Sequence, residues 1–259
     1  MKSHALKKLH KSVGDSIHAM NTIAVSLSRL PNENVKPPEE LRISWAPKNT
    51  KFSKVISRSY AERAAIVYAT ESFFEYLKNI STDSLWQHPE INFHGVNGKN
   101  EKIYKHKRVY TFLTKVPHIE EHSSILAELL CHWRNKIVHL NANPTLEKGK
   151  ICLLISKKQY IYDNLHHFDV ERALENFKEN AVTLKDSSTL ITIALQAAEK
   201  IDNFFFDEIK KMNKEEIFEK IKEHPDFKRI SHQNDSARKE RQLKMLIISR
   251  FPYFKDIYQ

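Results

Sequence analysis

The chain has 259 residues, 41% hydrophobic and 29% charged, a size that suits one large domain with a buried core and excludes a mini-protein held by staples. Four glycines leave few of the tight turns that all-β folds need, and two cysteines, Cys131 and Cys152, exclude a disulfide framework or a four-thiolate zinc site. The net charge of +10 is uneven, with +7 over residues 1–60, −2 over 61–209 and +5 over 210–259, which suits a polyanionic partner as well as ordinary solubilising lysines.

Residues 2–30 carry Leu6, Leu9, Val13, Ile17, Met20, Ile23 and Leu27 at spacings of three and four, which predicts a helix ended by Pro31. Its polar interruptions at His10, Lys11, Asp15 and His18 rule out a signal peptide, and no run nears the roughly 18 apolar residues of a spanning helix, so no membrane contact and a cytoplasmic location are expected. Residues 32–53, with Pro37, Pro38 and Pro47, read as a linker or ordered loop. A second helix is expected over 57–79, a loop with Pro89, Gly95 and Gly98 over 80–100, and a short basic helix over 102–116 closed by Pro117. The most regular helix of the middle section spans 123–140. Ile151 to Ile155 and Tyr160 to Tyr162 are β-rich runs separated by Ser156, Lys157, Lys158 and Gln159, which predicts a small hairpin. Helices resume over 169–180 and 187–212, and two more, over 214–223 and 235–250, form a basic extension. The expected organisation is all-α: a basic helix and Pro-rich linker over 1–55, a helical core with the hairpin insertion over 56–212, and the basic helical extension over 213–259.

The segment from Cys131 to His139 holds the candidate chemistry. At about 100° per residue, Leu126, Leu130, Trp133, Ile137 and Leu140 cluster on one side of the helix, while Glu128, His132, Asn135 and His139 form a polar ridge with Arg134 at its margin. A histidine kept for packing would sit on the apolar side.

Arg134, followed by Asn135 and, after four intervening residues, by His139, resembles the motif of the HEPN superfamily, helical proteins many of which are ribonucleases. The resemblance implies a helical bundle and metal-independent RNA cleavage, in which the ribose 2′-hydroxyl attacks the neighbouring phosphate. In that chemistry His139 serves as general acid or base, Arg134 holds the phosphate and stabilises its developing charge, and Asn135 orients the imidazole or a phosphate oxygen. RNA selectivity follows, because DNA lacks the 2′-hydroxyl. Glu128 and His132 are auxiliary candidates, and Lys136, Lys157 and Lys158 candidate RNA contacts. No metal or cofactor is expected. The resemblance also implies a toxin or anti-phage effector restrained by an antitoxin or sensor. On a straight helix Arg134 and His139 diverge by about 140°, so a homodimer joined at the motif helix is expected to complete the site. In the branch paired with nucleotidyltransferase antitoxins a tyrosine stands two residues after the histidine; here that residue is Asn141.

Two other readings compete. A non-catalytic helical module would use the basic ends to bind RNA or a protein partner. A metal enzyme built on Glu128, His132 and His139 is disfavoured by the seven-residue spacing of the histidines. The His166 and His167 pair reads as capping or surface residues at a helix start, and Phe204, Phe205 and Phe206 as packing.

Overall fold

The computed structural model describes residues 2–32, 35–93, 103–139 and 141–250, except the side chains of 214, 249 and 250. Gly95, Gly98 and Leu140 lie outside them. The described residues form α-helices and one 3-10 turn, with no strand among them, as the all-α expectation has it. The helices are α1 (His4–Arg29), α2 (Thr50–Ser81), α3 (Lys105–Lys115), α4 (Glu121–Val138), α5 (Lys148–Ser156), α6 (Lys158–Asn164), α7 (Val170–Glu179), α8 (Leu184–Lys211), α9 (Lys214–Glu223), α10 (Pro225–Ser231) and α11 (Ser236–Arg250).

Two compact units divide the chain. One comprises the described residues within 1–10, 73–124 and 195–259, the other those within 11–72 and 125–194, so α1, α2, α4 and α8 each contribute to both. In the first unit Trp86 stacks on Phe112 and Phe205 at centroid distances of 6.0 and 6.1 Å and donates its indole N–H to the carbonyls of His88 and Ile91. These rings bury large apolar areas while the one polar atom of the indole is satisfied. The first turn of α1 is fixed by Ser3, whose hydroxyl accepts from the Leu6 N–H and whose own N–H donates to Asp202 at 2.8 Å. Burial pushes the Asp202 carboxyl up against the opposing effect of those Ser3 bonds.

The second unit packs α4 through Ile125, Leu126, Leu129, Leu130 and Trp133, all inaccessible to solvent, within a core that also holds Ala65, Ile66 and Ala69 of α2 and Leu190 and Ile191 of α8. The Trp133 ring meets the Phe177 ring edge-on at 5.0 Å. Asp169 caps α7 by accepting from the Arg172 N–H, and Asn180 ends it in the left-handed region at φ 58°. Asp186 accepts from Asn176 and from the backbone and hydroxyl of Thr183, which fixes the start of α8.

Three expectations are corrected, and one helix is added. The hairpin over 150–163 is replaced by α5 and α6: Leu154 and Ile161 are each fully buried from a helix, and a short apolar run does not by itself separate a buried helix from a strand. The second helix starts at Thr50, where the Asn49 side chain accepts from the Phe52 N–H, and it passes through residue 55 unbroken. Helix α10, with Pro225 in its first turn and the His224 ring accepting from the Asp226 N–H, escapes the sequence pattern because it is only two turns long. His166 and His167 do not start a helix; both adopt positive φ, 53° and 59°, in the exposed link between α6 and α7.

Candidate active site

The last turn of α4 and the first residue beyond it build the site. Val138 is the final helical residue, and His139 follows outside the helix with its N–H still donating to the Asn135 carbonyl at 3.0 Å. Arg134 Nη1 donates to Asn135 Oδ1 and lies 3.2 Å from His139 Nε2. A guanidinium has only donors, so in this arrangement Nε2 accepts and Nδ1 carries the imidazole proton. The second terminal nitrogen of Arg134 meets Glu71 Oε1 of α2 at 2.7 Å. Arg134 is largely shielded, with 17% of its side chain exposed, whereas Glu71 is at 41% and His139 is exposed. The result is a positioned cation beside an imidazole that solvent and a ligand can reach.

This geometry corrects the expected divergence of Arg134 and His139. The angle of about 140° holds only while the chain stays helical. Here the helix ends before His139, and the long arginine side chain bridges the remaining gap. The two groups meet within one chain, so a second copy is not required to bring them together.

Glu128 and His132 also depart from the expected ridge. Each is 3% exposed, and Lys150 of α5 reaches Glu128 Oε2 at 2.6 Å while His132 Nε2 lies 3.8 Å from Oε1. Burial alone would raise the Glu128 carboxyl, but the hydrogen bonds from His132 and Lys150 outweigh it and hold the group below the usual carboxylate range. The helical wheel gives an angle around α4 and is silent on what packs there; α5, the segment read as a hairpin, covers this part of the ridge.

The remaining candidates are structural or peripheral. Lys136 donates to the carbonyls of Phe177 and Lys178 at 2.5 and 3.2 Å with its ammonium 4.8 Å from the Phe177 ring centre, which closes the C-terminus of α7. Burial, and secondarily Arg63, lowers its pKa. Lys157 lies exposed at the junction of α5 and α6, and Lys158 pairs with Glu171 at 2.9 Å. Cys131 donates to the Ala127 carbonyl, and burial pushes its thiol well up, so it is inert. Glu71 carries no signal in the sequence beyond being a carboxylate off the apolar face of α2. No family model, curated protein or solved structure matches the chain, so function has to be read from the site itself.

Proposed function

We propose that the protein is a metal-independent endoribonuclease of the HEPN type, with Arg134, Asn135 and His139 as its catalytic group. The observation that supports this reading is the 3.2 Å approach of Arg134 to His139 at a solvent-open helix end. When the phosphate draws the Arg134 guanidinium to itself, Nε2 of His139 is released and takes the proton of a ribose 2′-hydroxyl, whose oxygen attacks the adjacent phosphorus. The bond to the 5′-oxygen of the next nucleotide breaks, that oxygen receives the proton, and a 2′,3′-cyclic phosphate remains. Arg134, held by Glu71, turns N–H donors to the phosphate oxygens as their charge grows. Asn135 stays on Arg134 or moves to a phosphate oxygen.

In the biology that the motif implies, the enzyme is a cytoplasmic toxin or anti-phage effector restrained by an antitoxin or sensor. A homodimer through the end of α4 would double the site without completing it, so the monomer is expected to cut. The test is incubation of wild type, Arg134→Ala and His139→Ala with total RNA and matched DNA, with and without EDTA. Cleavage of RNA only, unaffected by EDTA and lost in both variants, is the expected result. Binding without cleavage by the wild type would instead make the chain a helical RNA-binding module, and loss of cutting in EDTA would make it a metal enzyme.

A further inference from the structure

Within the second unit, α1 and α2 flank a groove of about 430 Å³ whose walls are mostly apolar. Tyr60 and Tyr68 border it with 75% and 67% of their surface exposed, and its floor is made of alanines, Ala64 and Ala65 among them. One charged residue lines it, Asp15 of α1, which has no hydrogen-bond or ion-pair partner among the described residues. Two large rings left in water around a lone carboxylate form a surface made for a ligand more than for the fold.

The lining of the groove ends on α2 at Tyr68, three residues before Glu71, the carboxylate that meets Arg134 at 2.7 Å. At about 100° per residue, Ala64, Glu71 and Tyr60 all fall within about 80° of Tyr68 on α2, so the residue that holds Arg134 continues the α2 wall of the groove. Tyr68 and Glu71 stand three apart, with Cβ atoms about 5–6 Å from each other, the distance between neighbouring side chains on a helix surface. On the opposite wall Ser12 meets the hydroxyl of Ser72 at 2.7 Å, which ties α1 to α2 beside Glu71. From Tyr60 to Glu71 the wall is about 16 Å long at the helical rise, room for two or three nucleotides.

We infer that this groove is a nucleobase subsite that seats an unpaired guanine of single-stranded RNA while the neighbouring phosphate lies at Arg134. The inference rests on the ribonuclease reading of that cluster. Aromatic side chains stack on any base, and the alanine floor lets a flat ring approach the backbone closely. The choice of guanine comes from Asp15. A carboxylate only accepts hydrogen bonds, and guanine alone among the four bases offers two adjacent N–H donors on its Watson–Crick edge, from N1 and N2, to match its two oxygens. The same negative charge repels phosphate, so the strand enters with its base inward and its backbone toward Arg134.

The test uses the full chain in a His139→Ala background, in which RNA stays intact, and fluorescein-labelled single-stranded hexamers with G, inosine, A, C or U at one position. Tyr68→Ala and Ala64→Leu are expected to weaken binding of the G hexamer about tenfold, in the range of one lost base stack. Asp15→Asn should abolish the preference of G over inosine, which lacks the N2 amino group. Ala64→Leu fills the groove from an exposed helical position with a good helix former, so it is expected to fold normally, and thermal melting checks this. Unchanged affinities and base preference in all three variants would overturn the subsite. The two readings fail separately. Wild type that cuts RNA with the same cut sites when the groove is filled loses only the subsite, and wild type that never cuts yet binds G hexamers through Tyr68 and Asp15 loses only the ribonuclease.

Discussion

Helix α4 carries two clusters of charge and histidine close together, and they differ in what surrounds them. Glu128 and His132 are sealed in, with Lys150 supplying the countercharge. Arg134 and His139 sit at the helix end, where Glu71 holds the arginine and the imidazole faces solvent. The same residue types serve stability where the chain packs over them and reactivity where the helix stops. A buried ion pair costs much to strand, whereas a charge held beside an exposed imidazole at a helix end is within reach of a ligand.

The contrast is sharpest when each cluster is broken separately. His139→Ala and Arg134→Ala are expected to reduce RNA cleavage by about 10²- to 10⁴-fold, the usual loss of a general base or a charge stabiliser, with thermal melting unchanged. Glu128→Ala should do the opposite. By removing the buried carboxylate that Lys150 meets at 2.6 Å it is expected to cost about 3 kcal/mol in urea unfolding, with Glu147 at 3.9 Å from the ammonium limiting the loss, while the double change Glu128→Leu with Lys150→Met should come out near neutral. If Glu128→Ala were silent for stability but abolished cleavage, the division between the two clusters would be wrong.

Acid titration separates two carboxylates of the same unit by sign. Glu128 is held below its ordinary value, so its contribution is present above the unfolded pKa of about 4.3 and is lost as pH falls through its folded value. Glu62 is pushed up by burial, against the pull of Arg58, so its contribution is present below the unfolded value and lost as pH rises through the folded one. Glu128→Gln should therefore lose more stability at pH 7 than at pH 3, and Glu62→Gln should fare better at pH 7 than at pH 3, both measured by urea unfolding. The smallest effect is expected from Lys136→Met, which removes two hydrogen bonds at the end of α7 and should cost about 1 kcal/mol with no change in cleavage. A cleavage defect there would return Lys136 to the RNA-binding surface.

Much of the helical architecture is legible from periodicity, because long amphipathic helices such as α1 and α8 repeat their apolar residues many times. Short elements repeat nothing. The run from Ile151 to Ile155 is all apolar and fits either conformation, and the i to i−4 backbone bonds, such as Lys157 N–H to the Leu153 carbonyl and Leu165 N–H to the Ile161 carbonyl, are what make these segments helices. That one misreading spreads, since Lys150 of α5 is what turns Glu128 from an exposed candidate into a buried ion pair. Arg134, Asn135 and His139 are legible as a motif, yet their convergence depends on where α4 ends, which the residues around Leu140 leave ambiguous. Glu71 is invisible to local pattern because its partner is brought to it only by the packing of α2 beside α4.

The most direct test of the account is the chemistry of the cut ends. Purified wild type at a concentration where light scattering shows a monomer is incubated with a single-stranded RNA in EDTA, and the product termini are identified by mass spectrometry. A site complete in one chain is expected to leave 2′,3′-cyclic phosphate and 5′-hydroxyl ends, which record attack by the neighbouring 2′-oxygen. Products with 3′-hydroxyl and 5′-phosphate ends, or cleavage that appears only in dimer, would contradict it.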